Sequence, residues 1–145
     1  MADDFFSHLD ESAVVEAIRH AEARSRGEIR VHITKDLVDD VMAAAARAFE
    51  KLGMTRTDER NGVLVFVAYG ARRFAVIGDS GVTSKTGAAP LEALAGAMGE
   101  AFRAGLFTDG LIAAVRGAGD LLETHFPRVE GRSDRDELSN EISRG

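Results

Sequence analysis

Six oxygen-bearing side chains stand out because they lie at turns or at the ends of predicted strands and helices. They are Glu28, Asp58, Glu59, Asn61, Asp79 and Asp109. Carboxylate and amide oxygens are the ligands that hard cations such as Ca²⁺ and Mg²⁺ prefer. Clustered carboxylates repel one another, and a divalent ion relieves that repulsion. The pattern therefore predicts a divalent-cation site, with Asp79 as its strongest member because glycines lie on both sides of it.

Each of these residues also has a purely structural interpretation. Asp109 could only cap a helix, Glu28 could be a solvated strand end, and Asp58 and Glu59 could simply decorate a loop. These alternatives remain open at the level of the sequence.

Known catalytic motifs do not fit the chain, and no catalytic residue is identified. Lys85-Thr86 resembles the end of a P-loop, but Asp79 and Ser84 stand where that loop needs glycine. Ser80 lies in a Gly-Asp-Ser-Gly tetrapeptide like that of serine proteases, yet no histidine can be argued to serve it. The acidic residues therefore lack a nucleophile or an acid/base partner.

Two apolar runs position most of the candidate ligands. Residues 63–68 and 74–77 are rich in Val, Ile and Phe, as strands buried on both faces are. The short link 69–73 contains a glycine, which predicts a hairpin. Because paired antiparallel strands run in opposite directions, Asn61 and Asp79 should meet at one end of the sheet.

A third predicted strand adds Glu28 to the same place. Residues 29–34 alternate apolar and polar, and a helix of about residues 40–52 separates them from the strand at 63–68. A right-handed crossover makes these two strands parallel. Glu28 then lies near Asn61 and Asp79, whereas Asp36 lies at the opposite end. We call the end that carries Glu28, Asn61 and Asp79 the acidic end of the sheet.

The remaining segments complete an α/β fold. Helices are predicted at about residues 10–24, from Pro90 to Gly105 and from Thr108 or Asp109 to Pro127, with a polar loop at 82–89. Phe5 and Phe6 either fray with the leader or pin it to the core. We predict a three-layer α/β/α sandwich around a small mixed sheet, formed by residues 1–127. Residues 128–145 are expected to form a loose polar tail with one turn around Glu137-Leu138.

The overall composition excludes several classes of function. The net charge of −6 argues against binding to nucleic acid or to an anionic membrane surface. The chain has no cysteine, so disulfides and thiolate zinc sites are excluded. No apolar run approaches the roughly 18 residues of a membrane span, and the chain opens on acidic residues. We expect a cytoplasmic monomer, or a fragment of a longer protein, without membrane insertion.

Several short motifs, taken in order, make the sequence similar to the TPM domain family. They are Gly27-Glu28-Ile29, Asn61-Gly62-Val63-Leu64, residues 73–81, Phe102-Arg103-Ala104-Gly105 and Gly110-Leu111. His125-Phe126-Pro127 and Glu137-Leu138 resemble the short, soluble bacterial branch of that family. The family includes a thylakoid-lumen acid phosphatase, a photosystem II repair protein and a nematode receptor modulator. The resemblance covers about residues 5–140.

The resemblance implies an α/β/α sandwich, a divalent-cation site near the acidic end and an acid phosphatase activity. Glu28, Asn61 and Asp79 fall where the family pattern is polar and turn-forming. The chain departs from it in having no signal peptide or membrane anchor, and in having Ala88-Ala89-Pro90-Leu91 where an aromatic residue is common.

Three functions follow for the chain. The first is a Ca²⁺- or Mg²⁺-binding module without strong catalytic activity, which would serve an unidentified protein partner. The second is a metal-assisted phosphatase of phosphomonoesters, and the third is a plain protein-interaction domain. We favour the first, because the sequence offers ligands for a cation but no catalytic machinery.

Overall fold

The computed structural model describes residues 4–129 and 142–145 of the chain. Within these ranges the strands are β1 (Glu28–Thr34), β2 (Gly62–Ala68), β3 (Arg73–Gly78) and β4 (Ser143–Arg144). The helices are α1 (Asp4–Ser7), α2 (Glu11–Glu22), α3 (Val41–Lys51), α4 (Ser80–Thr86), α5 (Ala89–Arg103) and α6 (Phe107–His125), and a 3₁₀ turn covers Met54–Arg56.

The strands form one mixed sheet in the order β3-β2-β1-β4. β2 is parallel to β1 and antiparallel to β3, as the hairpin and the crossover predict. Glu28 is paired with Gly62, and Val63 is paired with Gly78. The beginnings of β1 and β2 therefore lie beside the end of β3.

β2 is buried along its whole length because helices cover both faces of the sheet. Its odd-numbered valines join a large core shared with α2, α5 and α6, whereas Leu64, Phe66 and Ala68 face α3 in a smaller core. This alternation is that of a strand packed between two layers. The predicted three-layer α/β/α sandwich is confirmed.

The ends of α2 and α3 follow the local sequence. The carboxylates of Asp10 and Asp40 accept hydrogen bonds from the backbone N–H groups of Ala13 and Ala43, at 3.0 and 3.1 Å. Each thereby satisfies one of the donors that the first turn of a helix leaves without a partner. Gly53, at φ 74°, follows α3 in the left-handed conformation that commonly ends helices.

The predicted polar loop at 82–89 is wrong in its first half, because residues 80–86 form α4. The polar composition of this segment hides a single apolar anchor, Val82, which is fully buried. Asp79 caps the new helix through a hydrogen bond from the Ser80 N–H to its Oδ1, at 2.7 Å. Asp79, which the sequence predicts as a ligand, is thus also the N-cap of α4.

The two ends of the chain both touch the body of the domain. Phe5 is buried, with its ring stacked on Tyr69 and in edge contact with Phe102, so the leader is pinned rather than frayed. Residues 143–144 form β4 beside β1, an arrangement the sequence does not predict. The turn expected around Glu137-Leu138 lies outside the described residues. None of the helices in the described ranges is both long and apolar enough to cross a membrane.

Candidate functional site

Backbone hydrogen bonds bring Glu28, Asn61 and Asp79 together at the acidic end of the sheet. The Glu28 N–H donates to the Asn61 carbonyl at 3.3 Å, and the Asp79 N–H donates to the Gly62 carbonyl at 2.9 Å. All three side chains are buried, with exposures of 3%, 2% and 7%. The strand register alone thus accounts for the meeting of residues that are distant in sequence.

Asn61 presents a polar atom without a hydrogen-bond partner inside this end. Its Nδ2 donates to the carbonyl of Arg26 at 3.1 Å, and its backbone N–H donates to Thr57 Oγ1 at 3.2 Å. Its Oδ1 is buried and accepts no hydrogen bond. Leaving a buried acceptor unsatisfied costs about 1–3 kcal/mol, so such an atom is a candidate ligand for a cation or water.

The Asp79 carboxylate is held by a guanidinium group that sequence reasoning missed. Arg60 Nε and Nη2 donate to its two oxygens at 2.6 and 2.8 Å. This hydrogen bond raises the pKa of Arg60 further above its ordinary value. The Arg60 side chain is 48% exposed, whereas that of Asp79 is 6% exposed. The ion pair therefore closes the acidic end from the solvent side.

Glu59 is paired in the same way with Arg26. Arg26 Nε and Nη2 donate to its two carboxylate oxygens, both at 2.9 Å. Hydrogen bonding to Glu59 raises the pKa of Arg26. Arg26 also donates to the Pro127 carbonyl, and its N–H donates to the Phe126 carbonyl at 2.8 Å. This arginine thus ties the end of α6 to the acidic end.

A third cation lies against the end of α6. The Lys85 ammonium is 4.4 Å from the centroid of the Phe126 ring and donates to the His125 carbonyl at 3.3 Å. A cation over an aromatic face is attracted by the ring's negative charge density. The acidic residues of this end are therefore interleaved with Arg26, Arg60 and Lys85.

A tight backbone contact fixes the loop that carries these groups. The Gly81 N–H donates to the Arg60 carbonyl at 2.9 Å, and a Cβ at Gly81 would lie 2.1 Å from the Glu59 carbonyl oxygen. Only glycine allows this approach. Arg60 itself has a φ of 52°, which is uncommon for a residue with a side chain. In the sequence, the Gly-Asp-Ser-Gly turn indicates this contact, because its second glycine lets α4 pack against the loop that carries Glu59 and Arg60.

The two remaining candidates do not join the buried group. Asp58 is exposed in the loop before Arg60. Asp109 is exposed in the first turn of α6, a helix of 19 residues that rises about 28 Å. The end of α6 lies at the acidic end, so Asp109 lies at the far end of the sheet. The prediction that Asp109 joins the cluster is wrong, because α6 runs toward the acidic end and only its last residues, not its first, reach the site.

The types of side chain at the acidic end suit a hard cation, but their present positions do not form a complete set of ligands. The possible ligands are all oxygen atoms, as Ca²⁺ and Mg²⁺ require. They belong to the carboxylates of Glu28, Glu59 and Asp79 and to the side-chain amide of Asn61. Within the described ranges, however, no three His, Cys, Asp or Glu side chains are grouped to hold a metal ion. Guanidinium groups occupy the carboxylates of Glu59 and Asp79. A cation could use these oxygens only by exchanging with an arginine.

Residues 2–121 match the family model of the TPM domain. The chain belongs to the TPM domain family. The resemblance inferred from the sequence motifs is thus confirmed over most of the chain.

Solved structures support the same assignment. The NMR structure of the BA42 protein from the psychrophilic bacterium Bizionia argentinensis is 37% identical to this TPM domain, with a TM-score of 0.84. The match covers 94% of this chain and 95% of that one. The N-terminal domain of the cg2496 protein from Corynebacterium glutamicum is 17% identical over 88% of this chain and 79% of that one, with a TM-score of 0.61, and shares the fold. No curated protein sequence matches the chain.

Proposed function

We propose that this TPM domain binds a divalent cation, Ca²⁺ or Mg²⁺, at the acidic end of its sheet. The observation that carries the proposal is the buried Oδ1 of Asn61, which accepts no hydrogen bond beside two buried carboxylates. Asp79, Asn61, Glu28 and Glu59 would hold the ion. It would neutralise carboxylates that otherwise depend on arginines.

Exchange with Arg60 is the step that makes the carboxylate of Asp79 accessible. Arg60 is the more exposed partner of the pair, so its side chain can swing into solvent while Asp79 stays in place. The half-exposed guanidinium regains its hydration when it leaves, and the incoming ion replaces it as the counter-charge of the buried carboxylate. The affinity should be modest, because the ligands lie on separate segments and the ion must displace a cation.

We propose no strong catalytic activity for this site. Its described residues offer no nucleophile with an adjacent base, and the carboxylates are hydrogen-bonded to arginines rather than poised as acids or bases. The alternative is a metal-assisted phosphatase of phosphomonoesters. Hydrolysis of an aryl phosphate that requires the cation and is lost in Asp79→Ala would favour that alternative.

The test is a titration of the full chain with Ca²⁺ and with Mg²⁺, followed by ¹H–¹⁵N NMR. We expect saturable shifts of the Asn61 side-chain amide and of the backbone amides of residues 28, 59–61 and 79–81. K⁺ at matched ionic strength is the control. Spectra that respond equally to K⁺ would refute the proposal and leave the plain interaction domain as the better account.

A further inference from the structure

One side of β1 pairs with β2, and the other side is the outer edge of the strand. An edge strand exposes backbone donors and acceptors that can pair with another chain. The first half of this edge is closed, because the Ile29 N–H donates to Glu22 Oε2 at 2.8 Å. The second half is covered by residues 142–145, in which Ser143 is paired with His32 and Arg144 with Ile33.

Each residue of this covering segment meets a different feature of the edge. Ile142 packs against the large core, and the Ser143 Oγ is 3.0 Å from His32 Nδ1. The Arg144 guanidinium lies 4.1 Å from the centroid of the Phe6 ring and is ion-paired with Glu11.

Gly145 completes the set of contacts. Its N–H donates to the Ile33 carbonyl at 3.0 Å, and its carbonyl accepts from Thr34 Oγ1 at 2.6 Å. A Cβ at this position would lie 2.7 Å from His32 Nε2, so a larger residue cannot take its place without displacing the imidazole.

We propose that the second half of the β1 edge is a strand-addition site for an extended peptide with the pattern apolar–Ser–Arg–Gly. Residues 142–145 are the peptide that the chain itself supplies. Peptides that add a strand to a sheet gain affinity from backbone hydrogen bonds and specificity from side-chain contacts, and both are present here.

The short ladder makes the segment exchangeable. Among the residues that the structure describes, two pairs join β4 to β1, whereas seven join β1 to β2. Residues 130–141 connect the segment covalently to the rest of the chain, so its binding to β1 is intramolecular. A tethered ligand competes with a free peptide at an effective concentration in the millimolar range. An external peptide of the same pattern should replace the segment once its attachment is weakened.

The experiment uses the full chain and an acetylated, amidated peptide Glu-Ile-Ser-Arg-Gly. Arg144→Glu places a like charge beside Glu11 and removes the cation from the Phe6 ring, so it should release the chain's own segment without touching the core. NMR of the amides of His32, Ile33 and Thr34 reports binding. We expect saturable shifts in the variant and a requirement for about tenfold more peptide in the unaltered chain.

A matched peptide with Glu in place of Arg should bind at least about fivefold more weakly, because it loses the ion pair and the cation–π contact. Gly145→Val, which sets a side chain against His32, is a second variant that frees the edge. The proposal is overturned if the Arg peptide leaves these amides unshifted in both variants, or if the two peptides bind equally. Because the edge lies away from the acidic end, neither result depends on cation binding.

Discussion

At the scale of single residues, Asn61 and Gly81 hold the segments of the acidic end together. Asn61 links β1 to β2 through its backbone carbonyl and side-chain amide, and it leaves its Oδ1 available. Gly81 lets α4 approach the loop that carries Glu59 and Arg60. The geometry of the candidate ligands therefore depends on a residue that has no side chain.

Gly81→Ala should destabilise the protein by about 1–3 kcal/mol, because its Cβ would collide with backbone oxygens that cannot move independently. The matched control is Gly96→Ala in α5, where no atom lies within 4 Å of the added Cβ. That change should stabilise by about 0.5–1 kcal/mol, since alanine favours a helix interior. Urea denaturation measures both. Equal gains for the two variants would show that the contact at Gly81 is not constraining.

His32 provides a pH-dependent contribution to stability. Burial lowers its pKa below the ordinary value of 6.5, and nearby Arg30 and Lys51 act in the same direction, while Asp36 partly opposes them. The folded protein thus binds this proton less readily than the unfolded chain. The free energy of unfolding should be at its full value above pH 6.5 and fall as the pH drops from there through the folded pKa.

His32→Gln isolates this effect, because glutamine keeps a polar group but does not titrate in this range. Urea denaturation between about pH 7.5 and about pH 5 should show a steeper loss for the unaltered chain than for the variant. Parallel curves for the two proteins would mean that the imidazole does not titrate differently on folding.

At the scale of elements, α4 is the least autonomous helix of the site. Its seven residues are too few to persist alone, so it depends on its cap and on Val82. Asp79 both caps it and binds Arg60. These two roles link the order of α4 to the ion pair at the acidic end.

Asp79→Ala should therefore cost more stability than the comparable cap change Asp40→Ala in α3, for which we expect about 1 kcal/mol. The additional loss of stability comes from the ion pair between Asp79 and Arg60, which Asp40 does not have. Hydrogen exchange should show reduced protection of α4 in Asp79→Ala while the amides of β2 stay protected. Similar losses for both variants would indicate that Asp79 acts as a cap alone.

The elements also show which parts of the structure were predictable from the sequence. The strands at 63–68 and 74–77 have uninterrupted apolar runs, and the crossover rule fixed their relation to β1, so Glu28, Asn61 and Asp79 were placed correctly. The segments without an apolar pattern, α4 and β4, were missed. α4 has one buried anchor, and β4 is held by backbone pairing and by contacts of Arg144 that no local pattern encodes.

The arginines were missed for a related reason. Arg60 and Arg26 are adjacent to the predicted ligands in sequence or across the sheet, but a carboxylate and its counter-ion cannot be paired from sequence without the side-chain directions. Asp109 was misplaced because a helix of 19 residues separates its start from its end, and only the end of α6 reaches the acidic end.

At the scale of the whole molecule, two candidate binding regions lie at different places on one sheet. The acidic end lies where β1 and β2 begin, and the strand-addition site lies along the second half of β1. Our two proposals therefore place a cation site and a peptide site on a shared strand of this TPM domain. Binding of a cation at the acidic end requires that the ion replace Arg60 at the carboxylate of Asp79.

The most direct test of that exchange compares two arginines that share a positive φ. Arg60 and Arg72 have φ angles of 52° and 54°, and Arg72 lies in the turn between β2 and β3, at the opposite end of the sheet. Asparagine tolerates this conformation, so Arg60→Asn and Arg72→Asn should both fold. Removing the competing cation at Asp79 should raise the affinity for Ca²⁺ about tenfold, a gain of 1.4 kcal/mol.

The measurement is the dissociation constant for Ca²⁺ in the unaltered chain and in these two variants, from the NMR shifts of the Asn61 and Asp79 amides. We predict tighter binding in Arg60→Asn and an unchanged dissociation constant in Arg72→Asn. The same affinity in all three proteins, or an equal gain in both variants, would contradict a cation site at Asp79.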